Sequence, residues 1–488
     1  MGQVELDYEL ITPSARIATA THGGRAKCLQ RLLRLELPVP KTVAISFAGV
    51  HSIAAGNFGN LPEILNNFNK TDLLCVRPSS ESPDWGGPSA IMNIGMNNLR
   101  YKELKQKLGA DAASSIYINF VQAYSLHVAR LDPDIFNPVE TQDSAALAKV
   151  LEIYESETEH EFPQDIATQL SEILRSMART WESTTARLLR QAKGAPLDAG
   201  LGLVIQVMAF GLGEGECGTG TLQLIDENDG KPKIKGRYKE QSQLRPEKSS
   251  EGALYLTKDN RGWSLEDNNE EIFRQLVEFA SIMRVKLREE MQIEFSIQNG
   301  VLHILDGIKT PRRSQAAVRV AVTLAEDGII SRNEAIMRVE PRAISELLHR
   351  QIDPEAEREV LGSGVAASPG AATGKIVFSA EAAQSHASRG IDCILVRRET
   401  SPEDVRGMHA AVGVVTERGG ITSHAAVIGR GIGLPCVVGV KDIRFQIKRK
   451  SLICSNGRQL KEGDEITIDG TSGDILFGSP KMVEAALD

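Results

Sequence analysis

The residues with the clearest chemical potential lie in the stretch TERGGITSHAAVIGRGIGLPCVVGV, positions 416–440, whose one histidine is His424. Upstream, AVGVV reads as a buried strand; Gly419 and Gly420 allow a tight turn, and Ser423 is placed to cap a helix opening at His424. An imidazole there meets free backbone N–H groups and the positive end of the helix, which favour an anion by roughly 0.3–1 kcal/mol per charge. A phosphate on a ring nitrogen is supported by such a setting, so His424 is a candidate covalent phosphoryl carrier. Gly431 and Gly433 are expected to end the helix, and Leu434-Pro435 to start the next strand.

Two further groups could charge such a carrier. LLCVRPSSESPDWGGPS joins a strand carrying Arg77 to a Gly-rich loop at Gly86 and Gly87, a layout suited to wrapping polyphosphate with backbone N–H groups. MQIEFSIQNGVLHILDGIK alternates, with Ile293, Phe295 and Ile297 on one face and Gln292, Glu294 and Ser296 on the other, and reads as a hairpin turning at Asn299-Gly300. With Gly300 in the bulge position of a three-residue loop, Ile297 pairs with Val301 and Gln292 stands opposite Asp306. The polar residues would then converge on one face.

The elements that position these groups follow from pattern. THGGRAKCLQRLLRLELPVPKTVAIS gives a glycine turn, a helix and a strand. Residues from about Tyr101 to Gln191 read as a helical insert with polar breaks at DPDIFNPVETQDS and near Phe162-Pro163; His127 and Trp181 are taken as packing residues there. LGLVIQVMAFGLGEGECGTGTLQLIDENDG reads as strand, Gly-rich turn and strand. RRSQAAVRVAVTLAEDGIISRNEAIMRV is a helix pair, and LLHRQIDPEAEREVLGSG a charged linker. Strands at GKIVFS, CILVR, AVGVV, CVVGV and EITID complete a compact mixed unit.

Composition narrows the function classes. The 488 residues suffice for two to four domains, and 41% hydrophobic with 25% charged residues is ordinary globular usage. A net charge of −8 and no long Lys/Arg run give no footprint for nucleic acid. The six cysteines show no Cys-x-x-Cys spacing and suit buried structural thiols in a reducing compartment. No apolar run reaches membrane-span length and no leader pattern opens the chain, so no membrane partner is expected and the protein is expected to be cytoplasmic.

The string around His424 closely resembles the phosphohistidine signature of phosphoenolpyruvate-utilising enzymes. The order and spacing of the N-terminal pieces resemble the ATP-grasp nucleotide-binding domain of the pyruvate phosphate dikinase family, and the resemblance runs along nearly the whole chain. It implies an α/β (α+β) fold: an ATP-grasp domain over 1–345 with a helical insert at about 101–191, a linker over 346–361, and a compact swivelling β/β/α phosphohistidine domain over 362–488. It implies ATP as substrate, Mg²⁺ as cofactor and His424 as the catalytic residue. Arg25 (where the family has a lysine), Arg77, Gly86, Gly87, Gln206 and Thr219 would hold nucleotide and phosphates, and Glu294 and Asp306 the metal. Thr422 is a candidate for regulatory phosphorylation.

Departures from the family pattern fall on the nucleotide site. The family carries an aspartate, a glutamate, a glutamine and an arginine where this chain has Gln292, Glu294, Asp306 and Ile308, so acid and amide have exchanged strands and a cation is replaced by an apolar side chain. The acidic residue expected downstream of Thr219 falls on Arg237. The chain stops at Asp488 without the family's phosphoenolpyruvate/pyruvate barrel, so the expected acceptor site is on a separate chain, with inorganic phosphate and a second copy of this chain as further candidate partners. Two readings result: an ATP-dependent histidine phosphotransferase, and a regulatory or phosphocarrier paralogue without its own kinase activity.

Overall fold

In the computed structural model, residues 6–483 are described except 60, 138, 140–142, 242–252, 260–261 and 354; both chain ends assigned above to the first and last domains therefore lie outside the described residues. The architecture is mixed α/β, as expected, and the chain divides into two compact units. One comprises residues 1–226 and 231–311, the other 227–230 and 312–488.

The first unit is built on two antiparallel sheets. Strands β1 (Tyr8–Leu10), β2 (Thr42–Ile45), β3 (Leu74–Ser80), β4 (Ile91–Ile94) and β5 (Leu201–Val207) form one, in the order β1-β2-β5-β3-β4. Strands β6 (Gly218–Ile225), β7 (Pro232–Glu240), β8 (Ala253–Leu254), β9 (Met291–Gln298) and β10 (Val301–Lys309) form the other, in the order β10-β9-β6-β7-β8. The helix Thr19–Arg34 packs Ala26, Leu29 and Leu32, one face at helical spacing, into a core shared with Ile293, Phe295 and Ile297 of β9. The alternation read in β9 is thus the observed one.

Residues between β4 and β5 form the helical insert, with long helices at Ala110–Tyr124 and Ile166–Glu182. The break expected near Phe162-Pro163 lies between the helices Ser144–Thr158 and Ile166–Glu182, and within it Phe162 is 4% exposed and takes edge contacts from Tyr117, Phe120, Tyr124 and Tyr154, centroids 5.2–5.9 Å away. Edge-to-face pairs of this kind each add about 0.5–1.5 kcal/mol beyond area burial. Trp181 is buried as a packing residue.

The β9–β10 register differs from the expected one. Asn299 (φ 52°) and Gly300 (φ 74°) both take the left-handed conformation of a two-residue turn, so Gln298 rather than Ile297 faces Val301. The extra residue is absorbed further along, in a register shift between Ile304 and Asp306. Asp306 therefore stands opposite Glu294, and Gln292 opposite Ile308. The physical reason is that Asn tolerates positive φ almost as Gly does, which permits the tighter turn.

The second unit opens with helices Ser314–Glu326 and Arg332–Arg338, the expected pair. The stretch read as a linker carries strands Gln351–Ile352 and Val360–Ser363, the latter in the unit's eight-stranded sheet. Within that sheet Ala371–Val377, Cys393–Arg397, Gly413–Thr416 and Cys436–Val438 run parallel to one another. Helices Ala380–Ala387, Val405–Ala410 and His424–Ile432 connect them. All six cysteines are free, five of them buried.

Candidate functional sites

In the second unit, His424 is the first residue of the helix His424–Ile432, which follows the strand Gly413–Thr416 and the turn containing Gly419 (φ 120°). The imidazole is half-buried, and its Nδ1 lies 3.2 Å from Thr400 Oγ1, on the loop after Cys393–Arg397. Ser423 occupies the cap position in extended conformation, but its hydroxyl makes no capping bond and is buried without a partner. Gly431 lies inside the helix, and Gly433 (φ 68°) alone ends it. Thr422 is exposed in the turn. On the segment that follows the Thr400 loop, Asp404 is buried and pairs with Arg397 at 3.1 Å.

In the first unit, a cavity of about 970 Å³ opens between the two sheets and the helical insert. Four of the residues picked from the sequence line it: Arg77, Gln206, Thr219 and Glu294. Arg77 projects from β3 and donates to the Leu305 carbonyl at 3.1 Å and to a Glu294 carboxylate oxygen, with Asp306 Oδ2 3.4 Å away. Burial disfavours its charge, but the carboxylates of Asp306 and Glu294 outweigh that, and its pKa is raised. The bulge at Leu305 makes this possible, because it turns Asp306 and Glu294 toward one guanidinium and presents the Leu305 carbonyl to it.

Arg25 stands behind this cluster and does not line the cavity. Its Nε donates to Asp306 Oδ2 at 2.6 Å and its Nη1 to the Pro78 carbonyl. Gly23 brings it there: a Cβ at that residue (φ 85°) would lie 1.8 Å from the Ser79 carbonyl oxygen, so only glycine lets the helix approach β3. Next to Asp306, burial pushes the Cys28 thiol up to about 12; it donates to the Gly307 carbonyl at 3.0 Å. Gly86 (φ 79°) and Gly87 follow the turn Pro83–Trp85 and line no part of the cavity. Arg237 is exposed on β7, Ile308 is half-buried outside the cavity, and Lys309 pairs with Glu289 at 3.5 Å.

Two carboxylates differ in their fitness for Mg²⁺. Asp306 is 1% exposed, with Oδ1 accepting from the Gly307 amide and Oδ2 from Arg25. Glu294 is 33% exposed and lines the cavity. A Mg²⁺ ion held mainly by phosphates and water needs only one or two carboxylates, so the site fits the ion through Glu294. Among the described residues no cluster of three or more His, Cys, Asp or Glu forms a dedicated metal cage.

The insert contributes walls that the sequence reading missed. Asn119, Gln122, Ala123 and Leu126 face the cavity, as does His127, whose pKa burial lowers. Their spacing of three and four was the available signal: polar residues on one stripe of an otherwise buried helix.

Residues 391–473 match the family model described as the PEP-utilising enzyme, mobile domain. The chain is 32% identical to a pyruvate, phosphate dikinase of Rhizobium meliloti over 95% of its own length and 56% of the relative's. It is 32% identical to that of Clostridium symbiosum, over 85% and 49%, and 33% identical to the chloroplastic protein of Flaveria trinervia, over 95% and 52%. The chain spans about half the length of these curated relatives. No helix among the described residues is long and apolar enough to cross a membrane.

Proposed function

We propose, on the premise that this chain belongs to the pyruvate, phosphate dikinase family of phosphoenolpyruvate-utilising enzymes, that it is an ATP-dependent phosphotransferase that phosphorylates its own His424 for passage to an acceptor. The observation that carries this reading is the convergence of Arg77, Gln206, Thr219 and Glu294 on one cavity of nucleotide size. The first unit is assigned the nucleotide, the second the carrier.

In the cleft, the phosphates would compete with Glu294 for Arg77, while buried Asp306 keeps both Arg25 and Arg77 charged and oriented. Glu294, once released from Arg77, would be the carboxylate available to hold Mg²⁺, and the ion would supply charge neutralisation at the phosphates. At the carrier, the Thr400 hydroxyl accepts the Nδ1–H of His424, which leaves the lone pair on Nε2 to attack phosphorus. The Nε2–P bond forms as the P–O bond to the leaving phosphate breaks, and the departing oxygen keeps the electron pair. The helix start then supports the phosphate on the ring.

The second reading, a phosphocarrier or regulatory paralogue without its own kinase activity, is favoured by Ile308, which supplies no cation where the family has an arginine. Incubation with Mg²⁺ and ATP labelled at the β or γ phosphorus separates the two: kinase activity predicts label on His424.

A further inference from the structure

A second recess in the first unit holds a buried cation with no carboxylate partner. Arg190, on the helix Thr184–Ala192, is 5% exposed. Its guanidinium lies over the Trp181 ring, 3.7 Å from the centroid, and Nη1 donates to the Trp181 carbonyl at 2.7 Å. That carbonyl belongs to the last turn of Ile166–Glu182, so Arg190 caps the negative end of that helix. No carboxylate among the described residues forms an ion pair with it. Glu182, the acid beside it, is engaged by Arg187 at 3.3 Å and by His51 at 3.6 Å.

A guanidinium has five N–H donors in a planar fork. One of those donors goes to the Trp181 carbonyl, and Arg190 lines an adjoining recess of about 370 Å³. Phe47, Val50 and Leu201 give the recess apolar walls, and Asp198 is exposed on its lining. Burial disfavours the charge on Arg190, and a ligand bringing its own negative charge would offset that.

We propose that this recess binds a small monocarboxylate, with the carboxylate on the open edge of the Arg190 fork and a short apolar tail against Phe47 and Val50. The fork matches a carboxylate bidentately. Asp198 on the lining disfavours a second negative charge, which selects a monoanion over a polyphosphate. None of these residues lines the larger cavity, so the recess is a site distinct from the nucleotide cleft.

Trp181 reports the event directly. Replacing Trp85 and Trp263 by Phe in the full chain leaves it as the sole tryptophan. Titration with butyrate is expected to give a saturable change in its emission, with tripolyphosphate at least about tenfold weaker, as loss of roughly 1.4 kcal/mol of charge complementarity requires. Arg190→Met should weaken butyrate at least tenfold and Arg190→Lys less. Should Arg190→Met fail to fold, the Arg190 Nε–Hε resonance of the wild-type protein reads the same contact and should shift with butyrate. Absence of a saturable response, an equal response in folded Arg190→Met, an Nε–Hε resonance that butyrate leaves in place, or tighter binding of tripolyphosphate would each overturn the assignment and leave Arg190 as a helix cap.

Discussion

His424 and Arg77 hold their chemistry in opposite ways. The imidazole sits half-exposed at a helix start with a single side-chain partner, Thr400, and is free to meet a phosphoryl group. Arg77 is part-buried, its side chain 14% exposed, and already shared between Glu294 and Asp306, with Arg25 on the far side of Asp306. The carrier is open; the cleft is self-neutralised. A nucleotide entering the cleft must therefore displace a carboxylate from a cation, whereas nothing need be displaced at the histidine. The contrast locates the control of the proposed reaction in the exchange at Arg77.

The harshest way to break that picture is Arg77→Met. It strands buried Asp306 with half its cationic partners and leaves Glu294 unpaired, so the fold is expected to lose about 3–5 kcal/mol. Urea denaturation reads this directly; a loss under 1 kcal/mol would mean that the cluster is solvated rather than buried. A subtler test uses the register. Glu294→Gln and Asp306→Asn share Arg77 and should couple by roughly 0.5–3 kcal/mol in a double-mutant cycle, whereas Gln292→Ala and Asp306→Asn, no longer facing one another, should add to within about 0.5 kcal/mol. The reverse pattern would restore the three-residue turn.

At the carrier the expected effects are smaller. Thr400→Val removes one hydrogen bond from Nδ1, worth about 1 kcal/mol, so labelling of His424 should slow roughly fivefold without loss of fold. Phosphate should also begin to appear on Nδ1, which distinguishes lost positioning from a general structural effect. An unchanged rate and a single phosphohistidine isomer would remove Thr400 from the mechanism.

The two sites also differ in how far the sequence exposed them. The proposed carrier is almost entirely local: strand, glycine turn and helix lie within 413–433, and only Thr400 and the silent Ser423 hydroxyl required coordinates. The cleft is assembled from β3, β5, β6, β9, β10 and the insert, so its contacts depend on register. Reading Gly300 alone as left-handed, when Asn299 is too, accounts for one residue of the slip from Glu294 to Gln292 opposite Asp306, and the bulge at Leu305 for the other. The burial of Phe162 needed coordinates for a related reason: the Pro beside it marks the break in the helix, but says nothing of the aromatic rings that tertiary packing gathers around it. Strand alternation in β9 and the helical stripe of Thr19–Arg34 were legible because each is a short-range consequence of one buried face.

The most direct test of the central claim follows phosphorus from nucleotide to histidine. Full-length protein incubated with Mg²⁺ and ATP labelled at the β or γ position should acquire acid-labile, base-stable label on His424. His424→Asn should abolish it while folding normally, since Asn is well tolerated near a helix start. Label that persists in His424→Asn, or wild-type protein that takes up none from either position, would contradict the account.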